Sequence, residues 1–207
     1  MRKIISSIQT KFPKCCNRSI EKALVLSYIR SKSIRYCDSD IICSFLAGDD
    51  SSYELIADYI DASTTIKDLD DLIVAFEILV DSNEKKNKGV VYTPSIIRDY
   101  ISENVIGNEK IPKLIDPSCG CGAFLISSVK AIKNKHNISY MELFSTYIYG
   151  ADIDEHSIEK CKVLFNLLAL ETDGEIIRNF PNLFVCNSLE YFGTKTYKNK
   201  FDVVVGN

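Results

Sequence analysis

Two short segments hold the residue types that could do chemistry. The first runs Leu114-Ile115-Asp116-Pro117-Ser118-Cys119-Gly120-Cys121-Gly122-Ala123-Phe124: an apolar stretch, an acid, then two glycines closing on a predicted helix. Gly120 and Gly122 let the chain bend sharply and let a ligand lie against bare backbone. Free N–H groups at the start of the next helix favour a negative group such as a carboxylate. The third glycine of the dinucleotide-binding fingerprint is missing, and no Lys-Ser or Lys-Thr pair follows Gly122 as a Walker loop would require. Taken alone, a glycine pair after a strand is also an ordinary tight turn.

The second segment, Gly150-Ala151-Asp152-Ile153-Asp154, ends the next strong strand candidate. An acid at that point can accept hydrogen bonds from both hydroxyls of a ribose. Asp152 lies 30 residues beyond Gly122, more than the ~20 of dinucleotide folds. An additional helix over residues 140–146 accounts for the difference. Asp154 precedes a helix predicted from Glu155 and has a ready role as its N-cap. That leaves Asp152 for the ligand.

These segments need elements to hold them in place, and the chain changes character near residue 85. Before it, apolar residues recur at helical spacing over residues 19–34 and from Ser51 or Ser52 to about Ile60, with a short apolar stretch over 40–46. A further helix is expected to begin at Ser63 or Thr64 and to carry Ile66, Leu69, Leu72, Ile73, Phe76, Leu79 and Val80. Residues 81–88 are polar and read as a linker. Beyond them, strands and helices alternate. Thr93-Pro94 starts a helix with Thr93 as its cap. Strands are expected at 113–115, 147–151, 183–185 and 201–205, and helices at 123–131, 140–146 and 155–170. The expected fold class is α/β: a helical N-terminal domain over residues 1–85, then a largely parallel sheet covered on both faces over residues 86–207.

Composition narrows the function classes. With 46% hydrophobic and 26% charged residues, the chain is ordinary for a globular protein. No run approaches the ~18 apolar residues of a membrane span, and Met1-Arg2-Lys3 turns polar too soon for a signal peptide, so the expected location is the cytoplasm. The eight cysteines include no Cys-x-x-Cys pair. Neither histidine, His136 or His156, sits at ligand spacing from a cysteine, so free thiols are expected and no metal site. A net charge of −3 gives little attraction for phosphates. The basic runs at 84–88 and at Lys195, Lys198 and Lys200 read as solvated loops. Any case for DNA comes from motifs.

Five elements follow one another in order: Tyr92-Thr93-Pro94, the glycine loop from Asp116 to Leu125, Gly150 to Asp154, Asn187-Ser188-Leu189, and Phe201-Asp202-Val203-Val204-Val205-Gly206-Asn207. Together they resemble the N6-adenine DNA methyltransferases of bacterial restriction–modification systems, above all type I methylase subunits and large type II enzymes with methylase and nuclease on one chain. Those methylase subunits also carry a helical N-terminal domain. The resemblance covers roughly residues 86–207 and implies a partial Rossmann-like, S-adenosylmethionine-dependent methyltransferase sheet. It implies that Tyr92, Thr93 and Pro94 close over the methionine end of the cofactor. Asp116, Pro117, Ser118, Cys119, Gly120, Gly122 and Phe124 would hold its amino and carboxylate groups. Asp152 would bind the ribose, Ile153 would lie on the adenine ring, and Asn187 and Ser188 would sit beside that ring, where the family often has an acid at the first position. Cys121 stands where Ser or Ala is common.

The resemblance makes Asn207 the first residue of an Asn-Pro-Pro-Tyr motif whose remainder lies beyond the sequence. Such an Asn accepts an N–H of the exocyclic amine of an adenine flipped out of the duplex. The chain is therefore expected to be the N-terminal part of a larger enzyme and to transfer no methyl group alone. Double-stranded DNA, engaged through other parts, and specificity or restriction subunits are the expected partners. A methyltransferase acting on a protein glutamine amide or an RNA base shares the same ending, and a non-catalytic docking module is a third reading.

Overall fold

Asp68, and neither Ser63 nor Thr64, caps the helix over Leu69–Leu79, because its carboxylate accepts from the Asp71 amide at 3.0 Å. The computed structural model describes residues 1–48, 52–64, 66–80, 93–192 and 200–207, and its contacts divide the chain into two units, Met1–Tyr92 and Thr93–Asn207. The linker expected at 81–88 lies outside the described residues. The first unit contains α1 (Arg2–Lys11), α2 (Asn17–Ser31), α3 (Asp40–Leu46), α4 (Ser52–Ser63) and α5 (Leu69–Leu79). Every residue of α2 from Ser19 to Ile29 is buried, so this helix is central rather than one-faced. It packs on α3, α4 and α5. Ser63 ends α4, its hydroxyl turned back onto the Tyr59 carbonyl; a serine bonded in this way is not a cap for a following helix.

The second unit contains α6 (Ser95–Val105), β1 (Leu114–Asp116), α7 (Ala123–Lys135), a short α8 (Tyr140–Glu142), β2 (Ile148–Asp152), α9 (Glu155–Asp173), β3 (Leu183–Val185), α10 (Ser188–Tyr191) and β4 (Val203–Val204). The four strands form one sheet in the order β3-β2-β1-β4, every pair parallel. All three residues of β1 and the first four of β2 are buried, the pattern of strands covered on both faces. The helix predicted over 140–146 is only partly α-helical: α8 passes into a π-helical turn over Leu143–Tyr147. That turn brings Phe144 onto Phe165 of α9, with ring centroids 4.3 Å apart, and close to Phe180. The ring cluster thereby fixes the start of β2 against α9.

Two expectations at α6 change. Its N-cap is Pro94, which has no side-chain oxygen, and not Thr93. Thr93 instead offers its carbonyl to the fully buried Arg98 guanidinium. At the other end of α6, Lys135 donates to the Glu103 and Ile106 carbonyls, so a cation closes the helix where glycine often does. Asp154 caps α9 as expected, accepting from the His156 amide at 3.3 Å and the Ser157 hydroxyl at 2.8 Å.

Gly122 has a packing reason for being glycine. It sits in the left-handed region at φ +89°, and a Cβ there would lie 2.5 Å from the Cys161 Sγ and 3.5 Å from the Phe165 ring on α9. Left-handed strain costs an alanine ~1–2 kcal/mol and overpacking ~1–3 more. Gly122→Ala is therefore expected to lower unfolding free energy by about 2–5 kcal/mol in a urea titration. Adding Cys161→Ala should return the steric share and leave the backbone share.

Candidate functional site

Parallel strands direct their carboxyl ends to one side, and a ligand crevice forms beyond those ends. In this chain β1, β2 and β3 end at Asp116, Asp152 and Val185. The segments that follow line a single cleft of about 670 Å³, within the range of small-molecule sites. Pro117 and Ser118 come from the first, Asp152 and Ile153 from the second, and Asn187 and Ser188 from the third. Sequence positions 70 residues apart are thus on one wall. Cys186, Leu189 and Phe192 complete the lining; Leu189 belongs to a quoted element, but none of the three had an expected role. Leu189 and Ile153 are 85% and 68% exposed, so the cleft presents apolar surface to whatever enters it. The signal for Leu189 and Phe192 was an apolar pair in the short run after Asn187, too brief to show which way it faces.

The Asp152 carboxylate joins the loops. Its Oδ2 accepts from the Gly120 amide at 2.9 Å and its Oδ1 from the Asp154 amide at 2.9 Å. Each oxygen keeps a further lone-pair direction for a ligand hydroxyl. The Cys119 amide bonds the Ala151 carbonyl at 2.8 Å, so two successive amides lace the glycine loop to the end of β2. A Cβ at Gly120 would meet nothing within 4 Å; the loop is open there, in contrast to Gly122.

Asp116, Cys119 and Phe124 do not line the cleft. Asp116 is only 2% exposed; its Oδ1 accepts from the Ser118 amide at 3.0 Å. Burial pushes this carboxyl up to about 7, opposed by the Ser118 bond and assisted by the negative charge of Asp152. Cys119 is buried, with its Sγ beside Gly150. Its hydrogen bond to Cys161, then burial, hold the Cys119 thiol well above the usual thiol range. Phe124 is buried in α7. Tyr92 lies outside the described residues. Asn187 caps α10: its Oδ1 accepts from the Leu189 amide at 3.2 Å and its Nδ2 donates to Glu190 at 3.0 Å. This reciprocal cap fixes the amide beside the cleft and leaves one lone pair of Oδ1 over.

Thr93 and Asn207, at opposite ends of the unit's sequence, meet directly. The Asn207 Nδ2 donates to the Thr93 Oγ1 at 3.0 Å. Asn207 follows β4, whose backbone is tied to β1 by the Val205 amide on the Ile115 carbonyl at 2.9 Å. Lys110 holds Asp202 at 2.7 Å, with the Lys113 amide on its other oxygen; these bonds keep the exposed Asp202 carboxyl below the usual range. Among the described residues, no group of three or more His, Cys, Asp and Glu is placed to hold a metal ion. Among them, too, no helix is long and apolar enough to cross a membrane.

Comparison with known proteins adds the chemistry. The model of a family described as N-6 DNA methylase matches residues 67–207. A curated relative, the type II methyltransferase M.CvrRI of Paramecium bursaria Chlorella virus XZ-6E, is 28% identical over 142 residues. That alignment covers 69% of this chain and 30% of the relative, so the chain spans under a third of that protein's length. Among solved structures, one described as a DrdV–DNA complex superposes with a TM-score of 0.55 at 14% identity, covering 86% of this chain and 20% of that one. A modification subunit ascribed to a type I restriction enzyme from Vibrio vulnificus YJ016 gives 0.48 at 18% identity, with 86% and 38% covered. At these identities the DrdV likeness speaks for the fold alone.

Proposed function

Because the chain belongs to the N-6 DNA methylase family, we propose that it forms the S-adenosylmethionine-binding half of a DNA methyltransferase acting on the exocyclic N6 of adenine. The observation that carries the proposal is the convergence of Ser118, Asp152, Ile153 and Asn187 on one cleft at the strand ends. An adenosine bearing a zwitterionic chain suits that lining. Apolar surface at Ile153, Leu189 and Phe192 accepts the ring. The spare lone pairs of Asp152 accept ribose hydroxyls, and the open turn at Gly120 leaves room for the chain.

When bound, S-adenosylmethionine would supply an electrophilic methyl group on sulfur for the N6 amine. Asp152 fixes the ribose and, through the Gly120 amide, the loop beneath it. The free amides at the α7 N-terminus would suit the carboxylate of the amino-acid end. Asn207 contributes its Oδ1 as acceptor for one N6–H, drawing the amine towards tetrahedral geometry. Double-stranded DNA and specificity or restriction subunits are the proposed partners; at a net charge of −3 this chain supplies little phosphate attraction of its own. The family match favours DNA adenine over a glutamine amide or an RNA base.

The test is incubation of the full-length gene product with labelled S-adenosylmethionine and plasmid DNA, followed by nucleoside mass spectrometry. Label in N6-methyladenine is expected. Label in a cytosine derivative or in protein, or none at all while the cofactor binds, would refute the proposal.

A further inference from the structure

We propose that Thr93 is a positioning residue for Asn207, orienting its amide so that the carbonyl end is the one left for the target amine. The proposal rests on the reading of Asn207 given above, and it gives Thr93 a role besides any contact with the cofactor. A primary amide has a donor end and an acceptor end, and an incoming N–H needs the acceptor. Asn207 is exposed, so its amide is free to turn about its last torsion unless something holds one end. The Thr93 hydroxyl does so by accepting from Nδ2 at 3.0 Å. With the nitrogen engaged, Oδ1 is the remaining group.

Both partners are themselves held. Arg98, 1% exposed, donates from Nη1 to the Thr93 carbonyl. Its helix α6 is joined to α7 by the buried Ser102–Ser128 hydroxyl pair at 3.2 Å. On the other side, Gly206 adopts φ +146°, and a Cβ there would lie 2.9 Å from the Asp116 Oδ1. The residue before Asn207 is thus pressed against a buried carboxyl, with Val205 tied to β1. The backbone of Asn207 is set from the sheet and its side chain from Thr93, just ahead of α6. A target amine arriving at such a site meets an acceptor already turned towards it, which is where preorganisation lowers a barrier.

Thr93→Val keeps the shape and removes the acceptor; Thr93→Ser keeps the acceptor. On the isotopically labelled chain, the two side-chain amide protons of Asn207 should be well separated in the proton dimension. Thr93→Val should collapse that separation and Thr93→Ser should retain it. In the full-length gene product, single-turnover methyl transfer to DNA at saturating S-adenosylmethionine should fall about 10-fold in Thr93→Val. Thr93→Ser should recover the rate to within about threefold. An unchanged Asn207 amide signal in Thr93→Val would overturn the contact. A loss carried wholly by cofactor affinity, or no rescue by serine, would overturn the positioning role. Absence of N6-methyladenine from the wild-type reaction would overturn the methyl-transfer reading and this role with it, while the amide signal would still report the bond.

Discussion

Asp152→Ala is expected to weaken S-adenosylmethionine binding by about 100-fold or more, since each hydrogen bond to a charged acceptor contributes ~1.5–3 kcal/mol. Two losses combine. The ribose hydroxyls lose their acceptor, and the Gly120 and Asp154 amides lose the carboxylate that holds them at 2.9 Å. Asp152→Asn separates the two. Its carbonyl oxygen can replace only one of the carboxylate oxygens, and its NH2 then faces a backbone donor. Binding by Asp152→Asn should therefore lie nearer to alanine than to wild type. Calorimetric titration of the three proteins measures the order directly. Asparagine binding as tightly as aspartate would remove the charge from the account.

The second large effect concerns Asp116 and pH. In the unfolded chain this carboxyl ionises near its ordinary 3.8, whereas in the fold burial holds it at about 7. A raised folded value means that the native state retains a proton which the unfolded chain has released. Stability is thus fully present below about pH 4, declines as the pH rises towards about 7, and levels off above that. At ~1.4 kcal/mol per pH unit the decline attributable to Asp116 is roughly 4 kcal/mol at most. Asp116→Asn, whose amide oxygen can still accept from the Ser118 amide, has no such proton to lose. Denaturant titrations of the two proteins from pH 4 to 9 should converge at the acid end. They should diverge from about pH 4 upward, with the asparagine protein the more stable, and run parallel above about pH 7. Parallel curves across the range would contradict a buried, proton-holding Asp116.

Much of the site could be read from sequence because its signals are local. A strand, an acid and two glycines predict a loop within ten residues, and Asp154 before a helical run predicts its own cap. The parallel sheet followed from the alternation of strands and helices. What escaped depends on distant partners. Thr93-Pro94 carries a cap signature, yet Arg98 takes the Thr93 carbonyl and Asn207 its hydroxyl. Gly122 looked like a place for a ligand to approach, and only the fold shows Cys161 of α9 occupying that space. Asp116 looked like a ligand contact, and the press of Gly206 against it comes from 90 residues later. In the helical unit, Ser63 and Thr64 satisfied the cap pattern, but Asp68 had the amide to bond.

The cleft at the strand ends is the claim on which the function stands. The most direct measurement is an amide-resolved NMR titration of this chain with S-adenosylmethionine. Shifts should concentrate at Ser118, Gly120, Asp152, Ile153, Ser188 and Leu189, with the helices of the first unit unmoved. A titration that leaves those amides in place, or moves another surface instead, would contradict the assignment of this cleft to the cofactor.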